Sequence, residues 1–111
     1  MLVNVLLYDA GTENEGIHSL ELKGKTVILM FEDKDDAERY CGLLEAQDFP
    51  TPSVELLTKI DIEAFCVEAG YEARYVEKGF IPSNDEERLM ISPPLSNLEV
   101  GNWKDRDKID D

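Results

Sequence analysis

The chain alternates short apolar runs with polar breaks, a pattern that predicts several strands and helices of ordinary length. Residues 2–8 are apolar on most of both faces of a strand, which predicts a position in the interior of a sheet. Residues 17–22 alternate between apolar and polar, and residues 26–31 are again apolar on both faces. Because Lys23-Gly24-Lys25 lies between these two runs, we predict a β-hairpin whose second arm is a central strand.

Two later segments repeat apolar residues at the spacing of an amphipathic helix. The first follows Asp33, a candidate N-cap, and the second follows Asp61, a second candidate, and ends at Gly70, which is placed to adopt the left-handed conformation. The first apolar stripe comprises Ala37, Tyr40, Cys41 and Leu44, and the second comprises Ile62, Phe65, Cys66 and Ala69. Prolines at positions 50 and 52 end the first helix, and residues 53–58 and 71–76 read as strands.

The resulting order of elements predicts an α+β fold similar to a ferredoxin-like sandwich. We expect a four- to five-stranded sheet with two helices on one face in a core domain at residues 1–80, followed by an irregular tail at residues 81–111. Because the central strands are apolar on both sides, the face without helices needs a cover. The candidates are the tail, through Leu89, Met90, Ile91 and Trp103, and a homodimer; a monomer also remains open.

The net charge of the chain limits the classes of molecule that we expect it to bind. The 111 residues include 25 acidic and 11 basic side chains, a net charge of −14. This charge repels phosphate backbones and anionic headgroups, so we expect no nucleic acid and no membrane insertion, and a basic protein partner is favoured. The apolar residues 1–8 lack a basic flank and end at Asp9, unlike a signal peptide.

Few residues of the chain are candidates for a catalytic, redox or metal-binding site. His18 is the only histidine, and its neighbour Ser19 points to the opposite side of a strand, so we expect His18 to make a structural hydrogen bond rather than to act in catalysis. Cys41 and Cys66 lie on apolar helical stripes and are predicted to be buried, reduced thiols, with a redox pair as the alternative. The acidic residues 32–38 lack the spacing of a calcium loop and suit a helix N-terminus. We therefore expect no metal, no cofactor and no enzymatic activity.

Residues 23–33, followed by Asp36 and Ala37, resemble the third strand and the following helix of an RNA-recognition motif. This module stacks bases on aromatic side chains of that strand. Here the stacking positions hold Lys25 and aliphatic residues, and Phe31 is the one aromatic side chain. The resemblance concerns the fold and not RNA binding.

A second resemblance covers most of the chain and rests on three strings, at residues 12–20, 30–40 and 43–52. They are Thr12-Glu13-Asn14-Glu15-Gly16-Ile17-His18-Ser19-Leu20, Met30-Phe31-Glu32-Asp33-Lys34-Asp35-Asp36-Ala37-Glu38-Arg39-Tyr40 and Leu43-Leu44-Glu45-Ala46-Gln47-Asp48-Phe49-Pro50-Thr51-Pro52. The chain thereby resembles an uncharacterised family of small acidic proteins from cyanobacteria and chloroplasts, defined as a domain of unknown function. This resemblance implies a cytoplasmic location, in the cyanobacterial cytosol or the plastid stroma, and an accessory role in photosynthetic cells.

The function that best fits these observations is a non-catalytic protein-interaction or regulatory module. The alternative is a small-molecule-sensing domain that binds its ligand at a sheet edge or a dimer interface. Polar or rigid loop residues are where binding usually resides, so the candidate interaction surface combines two loops and the nearby histidine. Its residues are Thr12, Glu13, Asn14, Glu15, Gly16, His18, Asp48, Phe49 and Pro50.

Overall fold

The structure of the protein is a computed structural model that describes residues 1–93 and 98–101. It contains three helices and a mixed sheet, so the fold is α+β as predicted. In chain order the elements are β1 (Leu2–Tyr8), β2 (Gly16–Leu22), β3 (Lys25–Phe31), α1 (Lys34–Ala46), β4 (Ser53–Thr58), α2 (Lys59–Ala69), β5 (Glu72–Val76), α3 (Asp85–Ile91) and β6 (Leu98–Gly101).

The sheet follows the order β4-β1-β2-β3-β5, with β6 paired to β2. Strand β1 pairs antiparallel with β2 through Leu7 and Ile17 and also with β3 through Asn4 and Phe31, while β2 and β3 form the predicted antiparallel hairpin. In a flat sheet, two strands that are both antiparallel to a third strand run parallel to each other. Strands β1 and β3 are both antiparallel to β2 and yet pair antiparallel with each other, so these strands must curl. Along the hairpin, Lys23 and Gly24 both have positive φ, as a two-residue turn of this type requires.

Helices α1 and α2 cover opposite faces of the sheet. On one face, Leu6, Leu29 and Phe31 pack with the predicted stripe of α1. On the other face, Val5, Ile28 and Met30 pack with Ile62, Phe65 and Cys66 of α2. The predictions of two helices on one face and of a second face covered by the tail or a dimer are therefore wrong.

The opposite placement follows from the direction of the two crossovers. Strands β3, β4 and β5 run parallel, because β4 and β3 are both antiparallel to β1 and β5 is parallel to β3. The connection through α1 travels from β3 past β1 to β4, and the connection through α2 travels back to β5. Crossovers of the same right-handed sense that travel in opposite directions place their helices on opposite faces.

The C-terminal segment is more regular than predicted. It contributes α3 and a sixth strand, β6, where an irregular tail and at most five strands were expected. Met90 of α3 and Leu98 of β6 are buried in the cluster on the α1 face, so this segment covers the same face as α1. Leu89 is exposed, Ile91 is partly buried and Trp103 lies outside the described residues. The division of the chain at residue 80 stays a prediction.

The helix ends agree with most of the predicted boundaries. Asp33 caps α1 by accepting a hydrogen bond from the amide of Asp36, and Gly70 ends α2 with φ 74°. Helix α2 begins earlier than predicted, since Thr58 is its N-cap and Asp61 lies in its first turn. This early start leaves α2 directly continuous with β4. Ala69, predicted to be buried, is exposed at the end of the helix.

Candidate functional site

His18 lies at the centre of a hydrogen-bonded cluster on the α1 face. Its Nδ1 atom is 2.9 Å from the hydroxyl of Tyr8 in β1, and its Nε2 atom is 2.8 Å from the hydroxyl of Tyr40 in α1. A neutral imidazole has one donor and one acceptor nitrogen, so one tyrosine donates to the ring and the other accepts from it. The predicted structural hydrogen bond of His18 is confirmed, and sequence reasoning did not identify its two partners.

Burial controls the protonation of this cluster. His18 is only 2 % exposed, and desolvation lowers its pKa from 6.5 to about 4. Burial also raises the pKa of both tyrosines, with a smaller contribution from Cys41 beside Tyr8 and from Tyr8 and Cys41 beside Tyr40. All three groups are therefore neutral at neutral pH, and the cluster joins β1, β2 and α1 without a charge.

The two loops of the predicted interaction surface lie at the same end of the sheet. Residues 9–15 follow the end of β1 and residues 47–52 precede β4, and Leu7 of β1 is paired with Ser53 of β4. Phe49 packs against the cluster, with its ring centroid 6.2 Å from those of Tyr8 and His18. Thr12, Glu13, Asn14, Asp48 and Pro50 are exposed, and Phe49 is half-buried.

Three members of that predicted surface are not on the surface. His18 and Gly16 are buried within β2, and Glu15 is buried with its carboxylate accepting a 2.7 Å hydrogen bond from the amide of Gly11. This bond stabilises the loop, because it gives an acceptor to the Gly11 amide, which lies beyond the end of β1. These three side chains are therefore not exposed as the prediction required, and the role of the predicted surface in binding stays a prediction.

An open cavity of about 310 Å³ lies beside the cluster, between α1, the end of β5 and α3. Tyr40 lines the cavity and its hydroxyl also contacts His18, so this residue connects the cavity with the cluster. The full lining is Phe31, Asp36, Arg39, Tyr40, Leu43, Val76, Phe80, Ile91 and Ser92. A mostly apolar wall with one charged pair, Asp36 and Arg39 at 2.9 Å, is typical of a small-molecule pocket.

The acidic residues 32–38 hold a neighbouring loop. The carboxylate of Glu32 accepts a 2.8 Å hydrogen bond from the amide of Lys78, and that of Asp36 accepts one of 3.0 Å from the amide of Gly79. Within residues 1–93 and 98–101, no group of three or more His, Cys, Asp or Glu side chains is placed to hold a metal ion. The acidic run therefore supports the helix N-terminus and the loop after β5.

The two cysteines are buried and free, in agreement with the sequence analysis. Cys41 belongs to the cluster on the α1 face and Cys66 to that on the α2 face, so the sheet separates them and the alternative of a redox pair is excluded. Burial raises the pKa of both thiols, that of Cys66 to about 11. Because the thiolate is the reactive form, we predict that both cysteines react slowly with thiol reagents in the folded chain.

The outer face of α2 carries an apolar stripe that the sequence analysis did not single out. Ile60 is 75 % exposed and Val67 is 82 % exposed, and Ala64 between them is exposed as well. Positions i, i+4 and i+7 fall on one side of a helix, so these side chains form a single line. The signal was present in the sequence, since the helix is apolar on two opposite sides.

Comparison with known protein families covers most of the chain. The model of a family described as a domain of unknown function, DUF3110, matches residues 3–95. The chain belongs to this family. The DUF3110 match spans the His18 cluster, the cavity and α2, whereas β6 lies beyond it. No curated protein and no solved structure matches this DUF3110 chain.

The length and apolar character of the helices decide whether any of them could cross a membrane. None of the helices in the described part of the chain combines the length and the apolar character needed to span a bilayer.

Proposed function

We propose that this chain is a non-catalytic protein-interaction or regulatory module. The observation that carries the proposal is the exposure of large apolar side chains on α2, at Ile60 and Val67, on the surface of a highly charged chain. A helix that is apolar on both sides usually lies between two partners, and here the sheet supplies only one of them.

The polar side chains support the same proposal. His18 is enclosed by two tyrosines, and Glu32 and Asp36 bind backbone amides of a neighbouring loop. A general acid or base must reach a substrate, and these groups are occupied by structural contacts. The net charge of −14 favours a basic protein as the partner.

The resemblance to proteins of cyanobacteria and chloroplasts supports a location in the cytosol or the plastid stroma and an accessory role in photosynthetic cells. The two free, buried thiols are compatible with such a reducing compartment.

The experiment that tests this function is cross-linking of the full chain in a lysate, followed by quantitative mass spectrometry. We expect one protein to be captured in a stoichiometric and saturable way, and to be lost when unlabelled chain is added in excess. Capture of many proteins at low yield, none of them displaced by unlabelled chain, would contradict the proposal.

A second candidate function, the sensing of a small molecule, is favoured by the cavity of about 310 Å³. This volume suits a small ligand with an apolar body and one polar group that meets Arg39. Native mass spectrometry of the purified chain tests it: a retained mass that disappears in Leu43→Trp, a substitution that fills the rim, would support the cavity. An unliganded spectrum together with no thermal shift across a metabolite library would reject it.

A further inference from the structure

The outer surface of α2 combines apolar and acidic side chains in a regular arrangement. With about 100° between successive residues, Ile60, Ala64 and Val67 fall within about 60° of one another. Asp61 and Glu68 lie to one side of this line and Glu63 lies to the other. The outer surface of α2 is therefore an apolar stripe between two acidic borders.

The inner surface of the same helix fixes this orientation. Ile62, Phe65 and Cys66 are buried against the sheet, and Phe65 makes an edge contact with Tyr71 at 5.7 Å between ring centroids. Lys59, the only basic residue of the helix, is 4.0 Å from Glu63 and 5.4 Å from the ring centroid of Tyr75. Since the inner contacts anchor α2, the stripe cannot turn inward without unpacking this face of the core.

We infer that this stripe binds a basic amphipathic helix of a partner protein, an inference that rests on the proposed interaction function. Apolar side chains of the partner would pack along Ile60, Ala64 and Val67, and its lysine or arginine residues would meet the acidic borders. Small Ala64 at the centre of the line allows a close approach between the two helices.

Charge argues against a second copy of the chain as the occupant. Two copies of α2 packed along the stripe would bring their acidic borders together, which is unfavourable in addition to the net charge of −14 on each chain. A basic partner helix avoids this repulsion, because its lysine and arginine side chains meet the acidic borders with opposite charge.

The test measures the binding of a fluorescein-labelled peptide to the full chain by anisotropy. The peptide spans about five helical turns, with leucine at i, i+3, i+4 and i+7 and lysine at the remaining positions. We expect saturable binding that weakens as salt is raised, and no binding of the same peptide with glutamate in place of lysine. Equal binding of both peptides would overturn the inference.

A matched pair of variants separates docking on the stripe from general attraction to an acidic chain. Ile60→Ser/Val67→Ser keeps every charge and should weaken peptide binding about tenfold. Ile81→Ser removes a side chain that is equally exposed, at 82 %, but lies outside the stripe, and should leave binding unchanged. Equal binding by wild type and the double variant would overturn the inference.

Two further measurements on the double variant identify other occupants. A marked fall in melting temperature would show that another part of the chain covers the stripe, and loss of a self-association seen by sedimentation for the wild type would show a second copy. Either result would overturn the inference. A cellular partner that still binds Ile60→Ser/Val67→Ser would also overturn it, while leaving the proposed interaction function intact.

Discussion

Helices α1 and α2 place the same kind of apolar stripe on opposite faces of one sheet, but they present different surfaces to their surroundings. Most outward positions of α1 are charged, among them Asp35, Glu38 and Arg39, and its Leu43 is 38 % exposed at the cavity. The outward positions of α2 include Ile60 and Val67, which are 75 % and 82 % exposed.

On the inner side, α1 also closes over a polar cluster at His18, while α2 packs on apolar side chains and its Phe65 contacts the ring of Tyr71. The outer side of α1 is therefore mainly charged and its inner side encloses the His18 cluster, whereas α2 exposes a second apolar surface on its outer side.

The largest expected effect separates the two sides of α2. Ile62→Ala removes a fully buried side chain from the α2 face and should lower the free energy of unfolding by about 4 kcal/mol. Ile60→Ala, the same substitution two residues earlier, should change it by less than about 0.5 kcal/mol because this side chain is 75 % exposed. Urea unfolding followed by circular dichroism measures both, and a comparable loss in the two variants would contradict the assignment of an inner and an outer side.

The next effect concerns the polar cluster of the α1 face. Because the pKa of His18 is about 4 in the folded chain and near 6.5 when unfolded, the unfolded state binds an extra proton between these values. The neutral histidine therefore contributes stability above about pH 6.5 that is lost as the pH falls towards about 4, by about 3 kcal/mol in total.

A matched variant isolates this contribution from the many carboxylates that titrate in the same range. His18→Gln retains a donor and an acceptor for Tyr8 and Tyr40 but does not titrate. The difference in unfolding free energy between wild type and variant should shift with pH between 6.5 and 4.5, against the wild type at the lower pH. A difference that stays constant over this range would show that folding does not lower the pKa of His18.

A smaller effect on stability is expected in the loop of residues 9–15, where Glu15 is buried and Glu13 is exposed. Glu15→Ala removes the acceptor of the Gly11 amide and should lower the free energy of unfolding by about 1 kcal/mol. Glu13→Ala, at an exposed position, should leave stability unchanged and is the suitable variant for testing this loop in partner binding. Thermal melting distinguishes the two, and equal melting temperatures would remove the structural role assigned to Glu15.

The sequence predicted the elements better than their arrangement. The stripe of α1, the cap at Asp33 and the turn at Gly70 depend on neighbouring residues, and local spacing reveals them. The face that each helix covers depends on strand order, which joins β4 to β1 across about 50 residues of chain. Apolar residues on both sides of β1 and β3 indicated that both faces are covered, but not that α2 covers the second one.

The candidate site likewise depends on contacts between distant segments, which local spacing does not reveal. The burial of His18 between Tyr8 and Tyr40 requires the curled pairing of β1 with β2 and the docking of α1, which no single segment encodes. The outer stripe of α2 is different, because its spacing can be read from residues 60–67 alone. It was missed because the inner stripe by itself already explained the segment as a helix.

The most direct test of the outer surface of α2 is amide chemical-shift mapping of the full chain during titration with the leucine and lysine peptide. We predict that the largest shifts occur at residues 59–69, with smaller changes in the strands beneath them. Shifts concentrated at residues 12–14 and 48–50, or around Leu43, Phe80 and Ile91 at the cavity, would contradict it and place the interaction on the α1 side of the sheet.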